Sequence, residues 1–193
     1  MVYDWTLKTA ATDEPVTPEE VADHLRIAST DPLFMTYASA ARQWVEAYTE
    51  RALVTQTWQL SLDGLYRQIW LPRSAPLQSV THLKYYDSAN VLQTWAASNY
   101  RLAAFHEPAL LEIVDDAVLP STYLRADAVQ IEYVTGYASG ACPDPLRAAV
   151  LLLTAHFYEN REAVLVGAVS KPLEFALEAL CAPYRVFGRP PCP

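Results

Sequence analysis

The sequence predicts an α+β fold: a mostly antiparallel helical bundle with a small antiparallel β domain inserted between its N-terminal and C-terminal helix pairs. Residues 1–53 and 138–183 carry apolar side chains at helical spacing, which predicts two helices in each range. Between them, at 54–137, apolar and polar residues alternate with period two in short runs, which predicts strands. The last ten residues, 184–193, are rich in proline and predict an extended tail.

A capping box predicts the start of the first helix. Thr17 is the candidate N-cap, Pro18 suits the first helical position, and Glu20 stands three residues after the cap. The apolar residues that follow, Val21 and Leu25, fall on one face of the helix.

The second helix has the strongest helical pattern in the chain. Asp31 is its candidate cap and Pro32 its first residue. We interpret the apolar stripe of this helix as core packing, and it consists of Leu33, Phe34, Tyr37, Ala38, Ala41, Trp44, Val45 and Tyr48. The polar residues predicted on the other side are Arg42, Gln43, Glu46 and Glu50.

Seven short strands are predicted within the β unit, which we expect to form a meander or partial barrel. They lie at 54–62, 67–72, 77–87, 91–95, 99–105, 109–114 and 128–137. In the last of them, Val129, Ile131 and Tyr133 share one face. Gln130 and Glu132 occupy the opposite face, so one side of this strand is predicted to be buried.

Helices return after the β unit. Asp144 is the candidate cap of the third helix and Pro145 its first residue. This helix is apolar around most of its circumference. It should therefore be surrounded by other helices. Ser170 and Pro172 mark the start of the fourth helix.

Composition excludes several functional classes. The net charge of −8 argues against a protein that grips nucleic acid non-specifically, because such proteins need a basic surface to displace counterions. Cys142, Cys181 and Cys192 are widely spaced and odd in number, which indicates a reducing compartment rather than a disulfide scaffold. The longest apolar run is about half of the ~20 residues that a membrane span requires, so we expect a soluble protein that does not enter a membrane.

The segment HFYENREAV, residues 156–164, is the candidate for chemistry. It places His156, Glu159 and Glu162 at three-residue steps, with Arg161 among them. One histidine and one glutamate supply two ligands, whereas a catalytic zinc needs three from the protein. We therefore predict a helix end that leads into an assembly loop, without catalytic residues, bound metal or cofactor. A metal-dependent hydrolase using His156 and Glu159 is the alternative.

Six segments, which together span residues 15–187, occur in an order that resembles one protein family. They are PVTPEEVADHLRI, ASAARQWVEAYTERALVTQTWQLSLDG, LPRSAPLQSVTHLKYYD, VQIEYVTGY, PLRAAVLLLTAHFYENREAV and LEALCAPYRVF. This order resembles the head–tail connector, or adaptor, proteins of tailed bacteriophages and of phage-derived gene transfer particles.

The resemblance implies a structural role and no enzymatic activity. Such adaptors form a ring, typically of about twelve copies, which docks under the portal protein. The ring receives a stopper or tail-completion protein on its other side, and DNA passes through its lumen without sequence-specific binding. The protein would be made in the bacterial cytoplasm and would end in the neck of a virion or phage-like particle.

Two segments are candidate interfaces. The apolar loop before the fourth helix is the candidate subunit contact, and it comprises Ala163, Val164, Leu165, Val166, Gly167, Ala168 and Val169. Alternatively, it folds back on its own bundle. The candidate portal-binding tail comprises Tyr184, Arg185, Val186, Phe187 and Arg189. Alternatively, this end is disordered. A third functional class is an aromatic-rich ligand-binding module in the β unit, although the alternation predicts that Trp58 points inward.

Overall fold

The computed structural model describes residues 3–27, 33–160 and 171–187, and it divides into two units. A β unit contains the described residues 3–12, 55–136 and 187. A helical unit contains the described parts of 13–54 and 137–186.

The β unit holds eight strands in two antiparallel sheets. The strands are β1 (Tyr3–Thr9), β2 (Gln56–Leu62), β3 (Gln68–Trp70), β4 (Leu77–Tyr86), β5 (Leu92–Trp95), β6 (Tyr100–Ala103), β7 (Leu110–Ile113) and β8 (Val129–Thr135). One sheet has the order β1-β2-β8-β4-β5 and the other the order β3-β7-β6. Because β8 lies between β2 and β4, the large sheet is not a simple meander.

The described part of the helical unit holds four α-helices, and the chain leaves it for the β unit between the second and the third. They are α1 (Pro18–Leu25), α2 (Leu33–Thr49), α3 (Asp144–Glu159) and α4 (Lys171–Cys181). As predicted, α3 packs against all three of the others. No helix in the described ranges is long and apolar enough to cross a membrane.

The prediction of a mostly helical bundle with a small β insertion is wrong. Helix and strand account for similar shares of the chain, 33% and 29%, and the strands form two sheets. The physical reason is that the β unit buries a separate core, which includes Leu60, Leu83, Leu111, Ile131 and Tyr133. A core of this size supports a full structural unit of its own rather than a small insertion.

The strand β1 was not predicted from the sequence. It lies before the first helix and pairs antiparallel with β2, with Tyr3 opposite Leu62 and Leu7 opposite Trp58. Tyr3 and Trp5 are half-buried, whereas the last four residues of the strand are exposed. An edge strand of this kind has little alternation of its own and depends on its partner strand.

The sequence predicted the individual strands more accurately than it predicted the overall architecture. In β8, Val129, Ile131, Tyr133 and Thr135 are buried and the residues between them are half-buried, which confirms the predicted alternation. Every other predicted strand overlaps an observed one.

The capping box of α1 is confirmed. Thr17 Oγ1 accepts a 3.2 Å hydrogen bond from the backbone N–H of Glu20, and the Glu20 carboxylate accepts one of 2.9 Å from the backbone N–H of Thr17. The start of α3 differs from the prediction, because Asp144 is its first helical residue and Pro143 occupies the cap position without a side-chain hydrogen bond. The predicted cap of α2, Asp31 with Pro32, lies outside the described residues.

The polar side predicted for α2 is only partly correct. Arg42 and Glu46 are 7% and 6% exposed, and they form a 2.9 Å ion pair. Arg42 also pairs with Glu14 at 2.8 Å, and Glu46 accepts a 2.9 Å hydrogen bond from the backbone N–H of Leu53. These partners allow the two charges to be buried. Conversely, Trp44 of the apolar stripe is 40% exposed.

Candidate partner-binding surfaces

The end of α3, which carries the HFYENREAV segment, is held by its own polar residues. The Asn160 side-chain amide donates to the carbonyl oxygen of His156 at 2.8 Å, and the Asn160 backbone N–H donates to the same oxygen at 3.0 Å. The Asn160 amide nitrogen also lies 3.2 Å from Nδ1 of the His156 ring. These bonds satisfy a carbonyl that would otherwise lack a partner at the helix end.

The other polar residues of this segment form no metal site in the described part of the chain. Glu159 is exposed, while Arg161 and Glu162 lie outside the described residues. Nowhere in residues 3–27, 33–160 and 171–187 do three or more His, Cys, Asp or Glu side chains come together as a group that could hold a metal ion.

The predicted subunit-contact loop, from Ala163 to Val169, also lies outside the described residues. It connects α3, which ends at Glu159, with α4, which begins at Lys171. Its role stays a prediction.

The first three residues of the predicted tail are attached to the end of α2. Tyr184 closes a short 3-10 helix, and its carbonyl oxygen accepts a hydrogen bond from the Arg51 guanidinium. The backbone N–H of Val186 donates to the carbonyl oxygen of Thr49 at 2.9 Å. The Arg185 guanidinium lies 5.2 Å from the ring centroid of Tyr48, in the range of a cation–π contact.

The structure describes only one of the two remaining residues of the predicted tail. Phe187 is 72% exposed, whereas Arg189 lies outside the described residues. We call Tyr184, Arg185 and Val186 the tail root, because their contacts hold the start of the tail on the helical unit. Phe187 is thus the described tail residue whose large apolar side chain is mostly exposed to solvent.

An aromatic groove lies beside the tail root. Its volume is about 360 Å³, and its lining consists of Trp44, Tyr48, Leu153, His156, Phe157, Glu174, Leu177 and Glu178, from α2, α3 and α4. The Trp44 and Tyr48 rings are stacked, with centroids 5.3 Å apart and planes 8° from parallel. Glu174 and Glu178 are exposed, which gives the groove an acidic rim. Sequence reasoning missed this groove because it assigned Trp44 to the core.

The β unit carries four exposed apolar side chains, Val91, Leu92, Tyr123 and Leu124, which we call the apolar tip. Leu124 is 95% exposed and Val91 is 53% exposed. The tip joins two segments, because the backbone N–H of Tyr123 donates to the carbonyl oxygen of Tyr86 at 2.9 Å. Exposed apolar side chains on an ordered scaffold are typical of interaction surfaces.

Arg125 holds these two segments together. Its guanidinium donates to both carboxylate oxygens of Asp127, at 2.6 and 2.8 Å, and to the side-chain oxygen of Asn90 at 3.1 Å. It also lies 3.8 Å from the ring centroid of Tyr86. The hydrogen bonds from Arg125 lower the pKa of Asp127, so both partners stay charged at neutral pH.

No fully exposed aromatic side chain lies on a strand in the described part of the β unit. Trp58 is half-buried against the β core, in line with its predicted direction. Within residues 3–12 and 55–136, the exposed aromatic residues are Phe105 and Tyr123, and both lie in connections between strands.

Comparisons with known proteins identify relatives by structure. No protein-family model and no curated protein matches the chain. A chain in the neck of an empty gene transfer agent particle, computed with C6 symmetry, is 27% identical, with a TM-score of 0.77 and 98% of both chains covered. A chain in the neck of the native particle, computed with C12 symmetry, is 28% identical, with a TM-score of 0.78 and the same coverage.

The virion of a native gene transfer agent particle contains a third similar chain. It is 28% identical, with a TM-score of 0.78, and the match covers 97% of this chain and 98% of that one. The similarity therefore extends over both the β unit and the helical unit. It confirms that this chain resembles the neck and head–tail connector proteins of phage-like particles.

Proposed function

We propose that this protein is a structural component of the neck of a phage or phage-like particle. In this proposal it is an adaptor whose ring joins the portal to a stopper or tail-completion protein around the DNA channel. The observation that carries the proposal is the match over 97–98% of the chain to proteins from gene transfer agent necks and virions. A match over the whole chain supports a shared role more strongly than a match to one unit would.

Ring formation requires two different surfaces on each copy. A closed ring uses heterologous contacts, in which one patch meets a different patch on the next copy. The C6 and C12 symmetry of the related necks supports a ring, and we propose twelve copies of this chain. The loop from Ala163 to Val169 and the apolar tip are the candidate patches, because the loop is a contiguous apolar run in the sequence and the side chains of the tip are exposed.

The ring proposal is tested by electron microscopy of particles or of rings assembled on the portal. We expect Leu124→Asp, and separately the double variant Leu165→Asp with Val166→Asp, to reduce ring formation because each places charge in an apolar contact. Leu124 is 95% exposed, so Leu124→Asp should change the free energy of unfolding by less than about 0.5 kcal/mol. Rings of normal abundance from a folded variant would remove that patch from the proposal.

Portal binding is assigned to the tail beyond its root, which begins with Phe187 and includes Arg189. Aromatic residues and arginine are the types that most often anchor interfaces. A chain that ends at Val186 keeps the Thr49 and Tyr48 contacts of the root and loses the proposed anchors. We expect this chain to lose binding to isolated portal rings while its unfolding temperature is unchanged. Undiminished binding would exclude the tail as the portal contact.

The charge of the protein fits a channel through which DNA slides. With a net charge of −8, the chain as a whole repels phosphates instead of neutralising them. We expect no sequence-specific DNA binding, and only weak binding that disappears as salt is raised. The proposed location is the bacterial cytoplasm during assembly and the particle neck thereafter, and no catalytic role is assigned to His156 or Glu159.

A further inference from the structure

The aromatic groove of the helical unit combines three kinds of surface in one place. Part of its lining is apolar and buried, at Leu153 and Leu177. Another part is the stack of the Trp44 and Tyr48 rings, and the acidic rim lies on α4. Apolar, flat aromatic and negative surfaces together suit a ligand that has an apolar stem and a cationic head.

The two carboxylates of the acidic rim lie on the same face of α4. Glu174 and Glu178 are four residues apart, so they stand on successive turns of the helix, and both line the groove. Like charges at this spacing repel each other. Within residues 3–27, 33–160 and 171–187, neither carboxylate forms an ion pair or a side-chain hydrogen bond. A cation bound between them would remove the repulsion.

The Trp44 ring is available as a platform for such a cation. The neighbouring Tyr48 ring already holds the Arg185 guanidinium, 5.2 Å from its centroid. Among the described arginines and lysines, none lies over the Trp44 ring, although this residue is 40% exposed. Tryptophan is the aromatic residue that attracts cations most strongly.

Arginine fits this combination of surfaces better than lysine does. Its guanidinium is planar, so it can stack on an indole ring and donate hydrogen bonds to carboxylates in the same position, whereas the lysine ammonium is a compact point charge. The methylene stem of arginine covers apolar surface while its head stays near charge and water.

We infer that the aromatic groove binds an arginine side chain presented by a different protein. The guanidinium lies on the Trp44 ring between Glu174 and Glu178, and the stem lies on Leu153 and Leu177. The inference goes beyond the neck function and does not depend on it, because the groove is complete within one copy of the chain.

Charge indicates a different protein rather than a second copy as the source of the arginine. The chain has a net charge of −8, so two copies repel each other more than an acidic copy and a basic partner do. Most of the described arginines are also engaged within their own chain, by carboxylates or by the tail root. These are Arg42, Arg51, Arg101, Arg125, Arg147 and Arg185.

Two small probes test the groove in the isolated full-length chain. They are N-acetyl-arginine methylamide and its citrulline counterpart, in which an uncharged urea group replaces the guanidinium. With isotope-labelled protein, we expect the arginine probe to shift the nuclear magnetic resonance signals of the Trp44 indole N–H and of the Glu174 and Glu178 backbone amides, with saturation in the millimolar range. The citrulline probe should bind at least about tenfold more weakly. Equal binding of the two probes, or shifts confined to other signals, overturns the inference.

Charge variants provide a matched control. Glu174→Gln with Glu178→Gln should weaken binding of the arginine probe about tenfold, because uncharged amides replace the carboxylates that hold the guanidinium. Glu19→Gln with Asp23→Asn removes the same charge from exposed positions four residues apart on α1, which do not line the groove, and should leave binding unchanged. Undiminished binding in the rim variant, or an equal loss in the control, counts against the proposed site.

A lysine probe tests the role of the Trp44 ring. We expect N-acetyl-lysine methylamide to bind more weakly than the arginine probe, and Trp44→Leu to reduce this difference because leucine keeps an apolar surface but has no ring for stacking. The Glu174 and Glu178 amides report on the variant. A chain that does not distinguish arginine from lysine would contradict the assigned position of the guanidinium.

Dilution of the protein without any probe distinguishes a different partner from a second copy. We expect the three groove signals to keep their positions at all protein concentrations. Signals that move with concentration, and no longer move in the rim variant, would identify a second copy as the source of the cation and overturn the assignment to a different protein. None of these measurements involves rings or the portal, so their failure is distinguishable from failure of the neck proposal.

Discussion

The guanidinium of Arg147, on α3, donates a hydrogen bond to the carboxylate of Glu20, which also completes the capping box of α1. Arg147 donates a second hydrogen bond, of 3.0 Å, to the carbonyl oxygen of Pro15. The Arg147 side chain of α3 thus contacts both the segment that precedes α1, at Pro15, and the first turn of α1, at Glu20. Glu20 therefore takes part both in a local capping motif and in a contact between two helices.

This arrangement predicts a pH-dependent contribution to stability. The hydrogen bond from the Thr17 backbone, followed by that from Arg147, lowers the pKa of Glu20 in the folded state. A lowered carboxyl pKa stabilises the fold above the pKa of the unfolded chain, and that stability is lost as the pH falls through the folded pKa. Glu20→Gln should therefore cost about 1 kcal/mol at pH 7 and progressively less below pH ~4.5.

The measurement is chemical unfolding of both proteins at several pH values. Glu19→Gln is the control, because Glu19 is an exposed carboxylate in the same helical turn. A Glu20→Gln penalty that stays constant down to the most acidic pH would contradict the predicted linkage.

The buried ion pair of α2 should contribute far more to stability than an exposed pair of the same type. Glu46→Gln leaves the buried Arg42 without a charged partner on α2 and should cost about 3 kcal/mol. Glu112→Gln removes the partner of Arg101, whose side chain is 65% exposed, and should cost less than about 1 kcal/mol. Urea unfolding curves of the two variants measure the difference. Equal losses of unfolding free energy in the two variants would show that burial does not increase the contribution of the Arg42–Glu46 pair to stability.

Shortening the tail should lower the stability of the protein only when the tail root itself is removed. A chain that ends at Phe187 keeps all three root contacts and should unfold like the full-length protein. A chain that ends at Tyr184 loses the Val186–Thr49 hydrogen bond and the Arg185–Tyr48 contact, at a cost of about 1–2 kcal/mol. Thermal unfolding of the two truncated chains tests this, and matching midpoints would argue against an anchored root.

The two buried cysteines should resist modification until the protein unfolds. Burial raises the pKa of Cys142 to about 12 and that of Cys181 to about 11, so the thiolate of either residue is scarce at pH 7.5. Mass spectrometry after brief treatment with iodoacetamide should find both unmodified in buffer and both modified in denaturant. Rapid modification of the folded protein would show that the helical core opens readily.

The sequence by itself determined the local elements and indicated a resemblance to one protein family. The capping box at Thr17 and Glu20, the alternation in β8 and the helical stripes depend on neighbours within a few residues, so periodicity and capping rules identify them. The same segments, in their order along the chain, indicated the resemblance to head–tail connectors.

Only the tertiary structure decided which surfaces are buried and which are open. β1 forms through pairing with β2, about fifty residues later in the chain, and its own pattern does not predict it. Arg42 and Glu46 are buried because Glu14, 28 residues before Arg42, and the Leu53 backbone N–H, seven residues after Glu46, supply further partners. Trp44 is exposed beside a groove that needs three helices to exist. Each of these features arises from contacts between distant segments, which no local periodicity records.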